Sequence, residues 1–265
     1  MFKRKRLIIS LALIFVIIFS FFSVYLRTKY IVPILMYHSI SPSAVSSEDR
    51  MTVRPEVFEN QMRFLKEHAF NVVDIKEIAK LISQKEEIPR NTVAITFDDG
   101  YKNFYTYAFP ILKKYNLPAT VFIIVDEIGR PQNDRLSWEE LKVISSSGLI
   151  SIGDHCLGPE PLINIKSTKE ITRQIREAKK ILEERLGIEV YSFSYPEGLF
   201  NNEIRQIVID SGFKVAVATN PGRQYPNDDI FALKRLRISS ASNNIVSFWI
   251  KASGYYKFFK EKKKN

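Results

Sequence analysis

The chain has 265 residues, 45% of them hydrophobic, a single cysteine and a formal net charge of +10 at pH 7. This length allows one large domain with a sizeable core, and a single cysteine excludes an internal disulfide framework. The positive charge is concentrated at the two ends, with four basic residues at 3–6 and five lysines in the tail 257–265. Because the body carries little excess charge, nucleic acid is not an expected partner.

The N-terminal residues have the pattern of a membrane anchor. The basic residues precede an uncharged, apolar segment at 7–26, and about 20 such residues are enough for a helix to cross a bilayer. The segment ends in Val-Tyr-Leu, without the small residues of a signal-peptide cleavage site. We therefore predict a cytoplasmic segment at 1–6, a single transmembrane signal anchor at 7–26, an extracytoplasmic domain at 31–256 and a solvated basic tail at 257–265.

From residue 31 onward, apolar segments rich in β-branched and aromatic residues alternate with amphipathic segments. This alternation is typical of a parallel β/α domain. In chain order, we predict strands at 31–37, 72–75, 92–97, 119–125, 149–153, 190–196 and 213–219, with a polar loop at 39–51. Helices are predicted at 55–70, 75–84, 104–115, 137–148, 167–187 and 202–212, and residues 231–252 close the domain.

Local signals refine these helices. Pro110 is expected to interrupt the segment 104–115, because proline has no N–H to donate inside a helix. Ser137 and Glu140 have the spacing of a capping box at a helix start, and Ser167 and Glu170 repeat it. Periodicity does not distinguish an open sheet from a barrel, but in both folds catalytic residues lie where the strands end.

The strongest functional signal is the sequence TFDDG at 96–100. Asp98 and Asp99 directly follow an apolar strand, and Gly100 allows the chain to turn sharply. Adjacent carboxylates repel each other, so placing them at a buried strand end favours a compensating cation. One carboxylate could then hold a metal while the other serves as a base; the alternative is a solvated Asp-Asp-Gly turn.

Two of the three histidines also follow predicted strands. His155 lies in the sequence GDHCLGPEPL, next to Asp154, and His38 lies in MYHSI. A neutral imidazole is a good ligand for zinc and related metals, although a lone histidine can equally be a structural residue. We assign no role to His68, which lies on the polar side of a predicted helix.

These motifs resemble the polysaccharide deacetylase family, which is carbohydrate esterase family four with the NodB-homology domain. The similar segments are TFDDG, GDHC, PILMYHSI, YSFSYPEGLFNNE and GFKVAVATNPG. They extend over about residues 31–250, with a NodB-homology core at about 91–256. The resemblance implies a distorted (β/α)7 barrel, a divalent metal that is usually zinc, and hydrolysis of acetyl groups on an N-acetylglucosamine-containing cell-wall or extracellular polysaccharide.

The resemblance also implies roles for individual residues. Asp98 matches the general base of the family, and Asp99 and His155 match two metal ligands. Tyr195 and Pro196 match a third motif that contributes to substrate binding, in a variant that lacks the catalytic-site arginine.

The sequence departs from the family pattern at two positions of the second motif and at the histidine of the last motif. Pro159 occupies the position of the second histidine ligand, and Cys156 replaces the hydroxyl residue that usually follows the first. The histidine of the last motif, often the general acid, is absent, and LKRLRI offers Arg235 and Arg237 instead.

A catalytic zinc usually has three protein ligands, and the missing one could come from Glu160, His38 or Cys156. Glu160 is our first candidate because it follows the lost histidine directly, although it could also be an exposed residue between two prolines. Cys156 is the least favoured, since a free cysteine commonly behaves as a small buried residue. Two functions therefore remain open: a membrane-anchored deacetylase with a remodelled metal site, and a degenerate relative that binds glycan without hydrolysis.

Overall fold

The computed structural model describes residues 13–21, 30–43, 51–130, 134–219 and 229–256. Residues 13–21 are helical, and their side chains are exposed. Within the described ranges no helix is long and apolar enough to cross a membrane. The remainder of the predicted anchor, the segment 1–6 and the tail 257–265 lie outside the described residues, so the anchor stays a prediction.

The body of the protein is a barrel-like sheet of parallel strands. In chain order the strands are β1 (Ile34–Tyr37), β2 (Ser39–Ile40), β3 (Thr52–Val53), β4 (Asn71–Val72), β5 (Thr92–Phe97), β6 (Ala119–Ile123), β7 (Ile150–Asp154), β8 (Ser192–Ser194), β9 (Val215–Ala218), β10 (Leu233–Lys234) and β11 (Leu236–Arg237). Their order in the sheet is β10-β9-β8-β7-β6-β5-β1-β11, and β4 pairs with β5 beside this path. β2 and β3 form a separate parallel pair.

One short segment closes the barrel. β10 pairs with β9 and β11 pairs with β1, while Arg235 lies between the two halves. The Arg235 N–H donates to the carbonyl of Ala218 at 3.0 Å, and the Ile238 N–H donates to the carbonyl of Met36 at 2.9 Å. The two edge strands of the sheet, β10 and β11, are therefore consecutive in the chain, and this segment joins the edges. The predicted parallel, barrel-like α/β fold is confirmed.

Helices cover the outside of this barrel. They are α1 (Pro55–Glu67), α2 (Ile75–Ser83), α3 (Phe109–Tyr115), α4 (Trp138–Ser145), α5 (Thr168–Leu186), α6 (Asn202–Asp210) and α7 (Ile245–Ala252). The capping box at the start of α4 is formed in both directions between Ser137 and Glu140. At the start of α5, Ser167 accepts the Glu170 N–H, but the Glu170 carboxylate bonds to Arg173 instead of returning to the cap.

Three predicted elements are corrected: a helix, a strand and a loop. The segment 104–115 is not broken at Pro110: a π-helical turn at Phe104–Ala108 leads directly into α3, where Pro110 occupies the first turn and needs no N–H partner. The predicted strand 72–75 is shorter, because Asp74 caps α2 by accepting the Lys76 N–H at 2.7 Å. The polar loop 39–51 also contributes strand β2 at its start.

The interior of the barrel has its own small core, separate from the larger one beneath the helices. Ile34, Ala94, Phe122 and Val217 belong to it, together with side chains of α2. Gly153 leaves room for Phe122, since a Cβ at Gly153 would lie 2.4 Å from the phenyl ring. Close packing therefore fills the middle of the barrel.

α2 covers the amino-terminal end of the barrel. Its cap residue Asp74 accepts a hydrogen bond from the hydroxyl of Tyr191 at 2.5 Å and another from Ser151. Ser151 lies near the start of β7, and Tyr191 directly precedes β8. This end of the barrel is closed by a helix and a polar cluster, and the carboxyl ends of the strands are left for the functional site.

Candidate active site

A cavity of about 420 Å³ opens at the carboxyl ends of the strands. Almost every strand of the barrel supplies a residue to its wall, at or just after the point where the strand ends. These residues are His38 after β1, Asp98 and Asp99 after β5, Ile124 after β6, His155 after β7, Pro196 after β8, Thr219 after β9 and Arg237 at the end of β11. The sequence prediction that chemistry lies at these ends is consistent with the cavity position.

Asp98 is held by a buried bidentate ion pair. The two terminal nitrogens of Arg235 donate to the two carboxylate oxygens of Asp98, each at 2.6 Å. Arg235 also donates to the hydroxyl of Ser194 at 2.9 Å. Both charged side chains are at least 95% buried, so the carboxylate has one fixed orientation towards the cavity.

This pairing keeps Asp98 ionised. Burial alone would raise the pKa of Asp98, but the charge of Arg235, with smaller contributions from His155 and His38, outweighs burial and lowers the pKa to about 2. The carboxylate is therefore present as an anion at any pH above about 3. Each of its oxygens retains a lone pair beyond the bond to Arg235 and can accept a proton.

Asp99 is presented by a tight left-handed turn. Asp99 has a φ of +70° and Gly100 a φ of +64°, values that aspartate tolerates better than most residues and glycine adopts without strain. A Cβ at Gly100 would also lie 2.9 Å from the Ile123 side chain. Through this turn, adjacent carboxylates acquire different surroundings, with Asp98 facing Arg235 and Asp99 facing His155.

His155 is oriented by the barrel backbone. Its Nδ1 lies 2.7 Å from the carbonyl oxygen of Ser194, to which it donates, and its Nε2 lies 3.5 Å from Oδ1 of Asp99. With the proton on Nδ1, the lone pair of Nε2 is directed towards Asp99, which is the arrangement of a metal-binding histidine. Burial lowers the pKa of His155, but its contact with Asp99 and the nearby carboxylate charges outweigh burial and raise it.

The Asp99–His155 pair fits a divalent metal. Two ligand atoms on one tetrahedral zinc, each about 2.0–2.1 Å from the ion, lie roughly 3.3 Å apart, close to the observed 3.5 Å. A complete ligand set is not formed: across the described ranges, no three His, Cys, Asp or Glu side chains come together as a metal-binding group. The structure therefore brings two of the predicted ligands, Asp99 and His155, together. The second histidine of the family pattern is replaced by Pro159, and among the described residues no other side chain completes the set.

His38 is the remaining histidine on the cavity wall. The residue is 93% buried, and Nδ1 has no hydrogen-bond partner among the described residues. Asn103 holds the two residues that follow His38, because its amide donates to the Ser39 hydroxyl at 2.8 Å and accepts the Ile40 N–H at 3.1 Å. Burial lowers the pKa of His38, with Asp98 and Asp99 opposing the effect, so the ring faces the cavity in its neutral form near pH 7.

The other candidate ligands lie elsewhere. Glu160 is exposed and does not line the cavity, although its neighbour Pro159 does. Cys156 is fully buried with a φ of +70°, and burial raises the pKa of its thiol well above the usual value. Asp154 does not assist His155: it is buried outside the cavity wall, where Oδ1 accepts the Cys156 N–H at 2.6 Å.

The two residues of the predicted substrate-binding motif separate. Pro196 lines the cavity together with Glu197 and Gly198. Tyr195 is fully buried; its hydroxyl donates to the carbonyl of Phe231 at 3.0 Å, and its ring stacks on Phe200. Tyr195 thus supports the turn behind Pro196, and its ring does not reach the cavity.

The role of Arg235 was missed at the sequence level. Arg235 and Arg237 were considered together as substitutes for an absent histidine, but Arg235 is buried against Asp98 and Arg237 is exposed at the cavity rim. The sequence signal was an arginine with the apolar residues Leu233 and Leu236 nearby. A cation buried there needs a carboxylate to compensate its charge. Its partner is 137 residues away, so no local pattern identifies the pair.

Comparison with known proteins finds relatives over most of this chain. Residues 85–216 match the family model for polysaccharide deacetylase. The chain is 32% identical over 207 residues to the Bacillus subtilis (strain 168) protein YxkH, whose name places it among the polysaccharide deacetylases; the match covers 78% of this chain and 71% of that protein. It is 28% identical to a poly-beta-1,6-N-acetyl-D-glucosamine N-deacetylase of Staphylococcus aureus (strain MRSA252), over 75% of this chain and 72% of the relative. A solved structure of the Streptococcus pyogenes deacetylase PplD in complex with acetate is 29% identical with a TM-score of 0.70, covering 79% of this chain and 92% of that chain.

Replacing Arg235 tests whether the ion pair supports the fold. We expect Arg235→Met to lower the free energy of unfolding by about 3–5 kcal/mol at pH 7, because it leaves Asp98 buried without its counter-charge. Denaturant unfolding followed by circular dichroism measures the change. The control is Arg237→Met, an exposed arginine two residues along, which should change stability by no more than about 0.5 kcal/mol.

A double variant separates charge from packing. Combining Arg235→Met with Asp98→Leu removes both charges, and we expect it to regain most of the stability that the single variant loses. If Arg235→Met unfolds at the same denaturant concentration as the wild type, the ion pair does not support the barrel.

Proposed function

The chain belongs to the polysaccharide deacetylase family, whose members are hydrolases of carbon–nitrogen bonds, and we propose that it is a metal-dependent N-deacetylase of poly-β-1,6-linked N-acetylglucosamine. The Staphylococcus aureus relative, named for this activity, supports the substrate. A cavity at the carboxyl ends of the strands, with two carboxylates and two histidines on its wall, supports the reaction.

The observation that carries the proposal is the Asp99–His155 pair. Its donor atoms are 3.5 Å apart, and the Nδ1 bond to Ser194 directs the free nitrogen of His155 towards Asp99. We assign these two side chains to the metal, with zinc as the first candidate because histidine nitrogen and carboxylate oxygen suit it. When bound, the metal would polarise the acetyl carbonyl and lower the pKa of a water molecule.

Asp98 is the general base. Its carboxylate is ionised, lies beside Asp99 and is held in place by Arg235. A water attacking the acetyl carbonyl gives its proton to Asp98 as the new carbon–oxygen bond forms. A base with a pKa of about 2 accepts a proton only briefly, so the proton has to pass on to the leaving group.

His38 is the candidate for the general acid. The leaving nitrogen needs a proton when the carbon–nitrogen bond breaks, and His38 lines the same cavity as Asp98. Because burial lowers its pKa and keeps it neutral near pH 7, His38 first takes up the proton that Asp98 removed from the water and then gives it to the leaving nitrogen. The products are acetate and a protonated amine on the sugar, which together account for the water consumed.

Metal content tests the first assignment. After incubation with zinc and removal of the excess, we expect near one zinc per wild-type chain and a loss of most of it in Asp99→Ala and His155→Ala, measured by mass spectrometry of the metal. Asp126→Ala is the matched control, because Asp126 is an exposed carboxylate that does not line the cavity. A wild-type protein that retains no zinc would remove the metal from the mechanism.

His38→Gln tests the second assignment. We expect this variant to keep its zinc while kcat for acetate release from an N-acetylglucosamine oligomer falls about 100-fold or more, with a small change in KM. Loss of zinc together with activity would instead identify His38 as the third ligand. An unchanged kcat would exclude both roles.

A second function, glycan binding without hydrolysis, is favoured by one specific observation. Pro159 removes the second histidine, and the described residues form no three-donor metal group. The two functions differ in product: a zinc-loaded enzyme releases acetate from poly-β-1,6-N-acetylglucosamine, whereas a binding protein retains the polymer with its acetyl groups intact.

We also propose that the chain is a single-pass protein of the cell membrane with its catalytic domain outside the cytoplasm. The basic residues at 3–6 before the apolar segment 7–26 support this orientation. The full chain is expected in the membrane fraction after an alkaline carbonate wash, and a chain that starts at Lys29 in the soluble fraction. Release of the full chain by the wash would argue against the anchor.

A further inference from the structure

Arg135 lies on the wall of the same cavity, and none of the roles above involves it. We propose that Arg135 forms a sugar-binding subsite, donating a hydrogen bond to a neutral oxygen of the glycan beside the acetamido group. This inference rests on the proposed deacetylase function and adds a specificity-determining residue to it.

The backbone fixes Arg135 relative to the catalytic turn. Arg135 and Tyr101 form an antiparallel bridge, with the Lys102 N–H donating to Asp134 at 2.8 Å and the Leu136 N–H donating to Gly100 at 2.9 Å. Tyr101 comes directly after the Asp98-Asp99-Gly100 turn. The loop that carries Arg135 is thus attached to the segment that carries the proposed base and metal ligand.

The guanidinium is held in one orientation. Its Nε donates to Oε2 of Glu127 at 2.5 Å, and its central carbon lies 4.0 Å from the centre of the Tyr101 ring. The side chains of Arg135 and Glu127 are only 12% and 9% exposed. Stacking and the carboxylate leave few other positions for the group, which lowers the entropy cost of binding.

One donor of this guanidinium has no partner. Nη1 of Arg135 is buried and makes no hydrogen bond with the residues that the structure describes. A buried, unpaired donor is unfavourable, and a small shift of the side chain would bring it to an acceptor in the cavity that Arg135 lines. Polar atoms placed in this way are typical of ligand sites, where they orient the ligand.

The acceptor is expected to be neutral. Glu127 already compensates the charge of Arg135, so the pair carries no net charge towards the cavity. A hydroxyl, ring or glycosidic oxygen of a sugar can accept from Nη1 without placing a further anion beside Glu127. An N-acetylglucosamine polymer offers such oxygens on every residue.

The test compares a sugar substrate with one that has no sugar. Arg135→Gln is expected to lower kcat/KM for a β-1,6-linked N-acetylglucosamine oligomer by about 10- to 100-fold, while hydrolysis of 4-nitrophenyl acetate stays within about twofold. Arg135→Lys should remain impaired, since one ammonium cannot reproduce the fork that meets Glu127 and the sugar together. Arg130→Gln, an exposed arginine of the same loop, is the control and should behave as the wild type.

Binding is measured separately from turnover. Calorimetric titration of the same oligomer into wild type and Arg135→Gln should show a dissociation constant that is about tenfold or more weaker in the variant. An equal loss on both substrates would indicate a structural role and overturn the subsite, as would unchanged oligomer kinetics and binding. If the wild type neither binds nor deacetylates the oligomer, the proposed function itself fails, a result distinct from a failure of the subsite alone.

Discussion

The buried pair of Arg235 and Asp98 joins the closure of the barrel to its chemistry. Arg235 lies at the break between β10 and β11, where one short segment pairs with β9 on one side and β1 on the other. Its guanidinium binds the carboxylate that ends β5. An isolated buried charge is strongly unfavourable, whereas a bidentate pair with further hydrogen bonds is tolerated. When the barrel closes between β10 and β11, the charge of Arg235 is therefore compensated only if Asp98 lies at the end of β5 beside it.

The same pair explains how neighbouring carboxylates can have different roles. Asp98 has its charge compensated by Arg235, whereas Asp99, turned away by its left-handed backbone, faces His155. The nearby carboxylates raise the pKa of His155 above its usual value, so in the protein alone this pair already attracts a proton. The field that favours a proton there also favours a metal cation.

The sequence predicted the parts of the site that depend on local pattern. Apolar strands followed by Asp98 and His155 indicated residues at the carboxyl ends of parallel strands, and the cavity contains both. Long-range pairing was beyond such patterns: the Arg235 partner is 137 residues away, and the Nδ1 bond of His155 goes to a backbone carbonyl on another strand. Proximity in the sequence was also a poor guide, since Glu160 is close to His155 along the chain and yet exposed.

The positions of the remaining metal-ligand candidates do not depend on the residue at 159, where proline replaces the second histidine of the family pattern. His155 is held by the barrel itself: its N–H donates to the Ile123 carbonyl at 2.9 Å, and its ring donates to Ser194. Neither contact involves the loop that carries Pro159. Replacing a histidine by proline there removes one donor without moving the two that remain, so the expected consequence is weaker metal binding and not a distorted site. In the proposed mechanism, metal affinity then determines whether this cavity hydrolyses an acetamide or only holds the sugar that carries it.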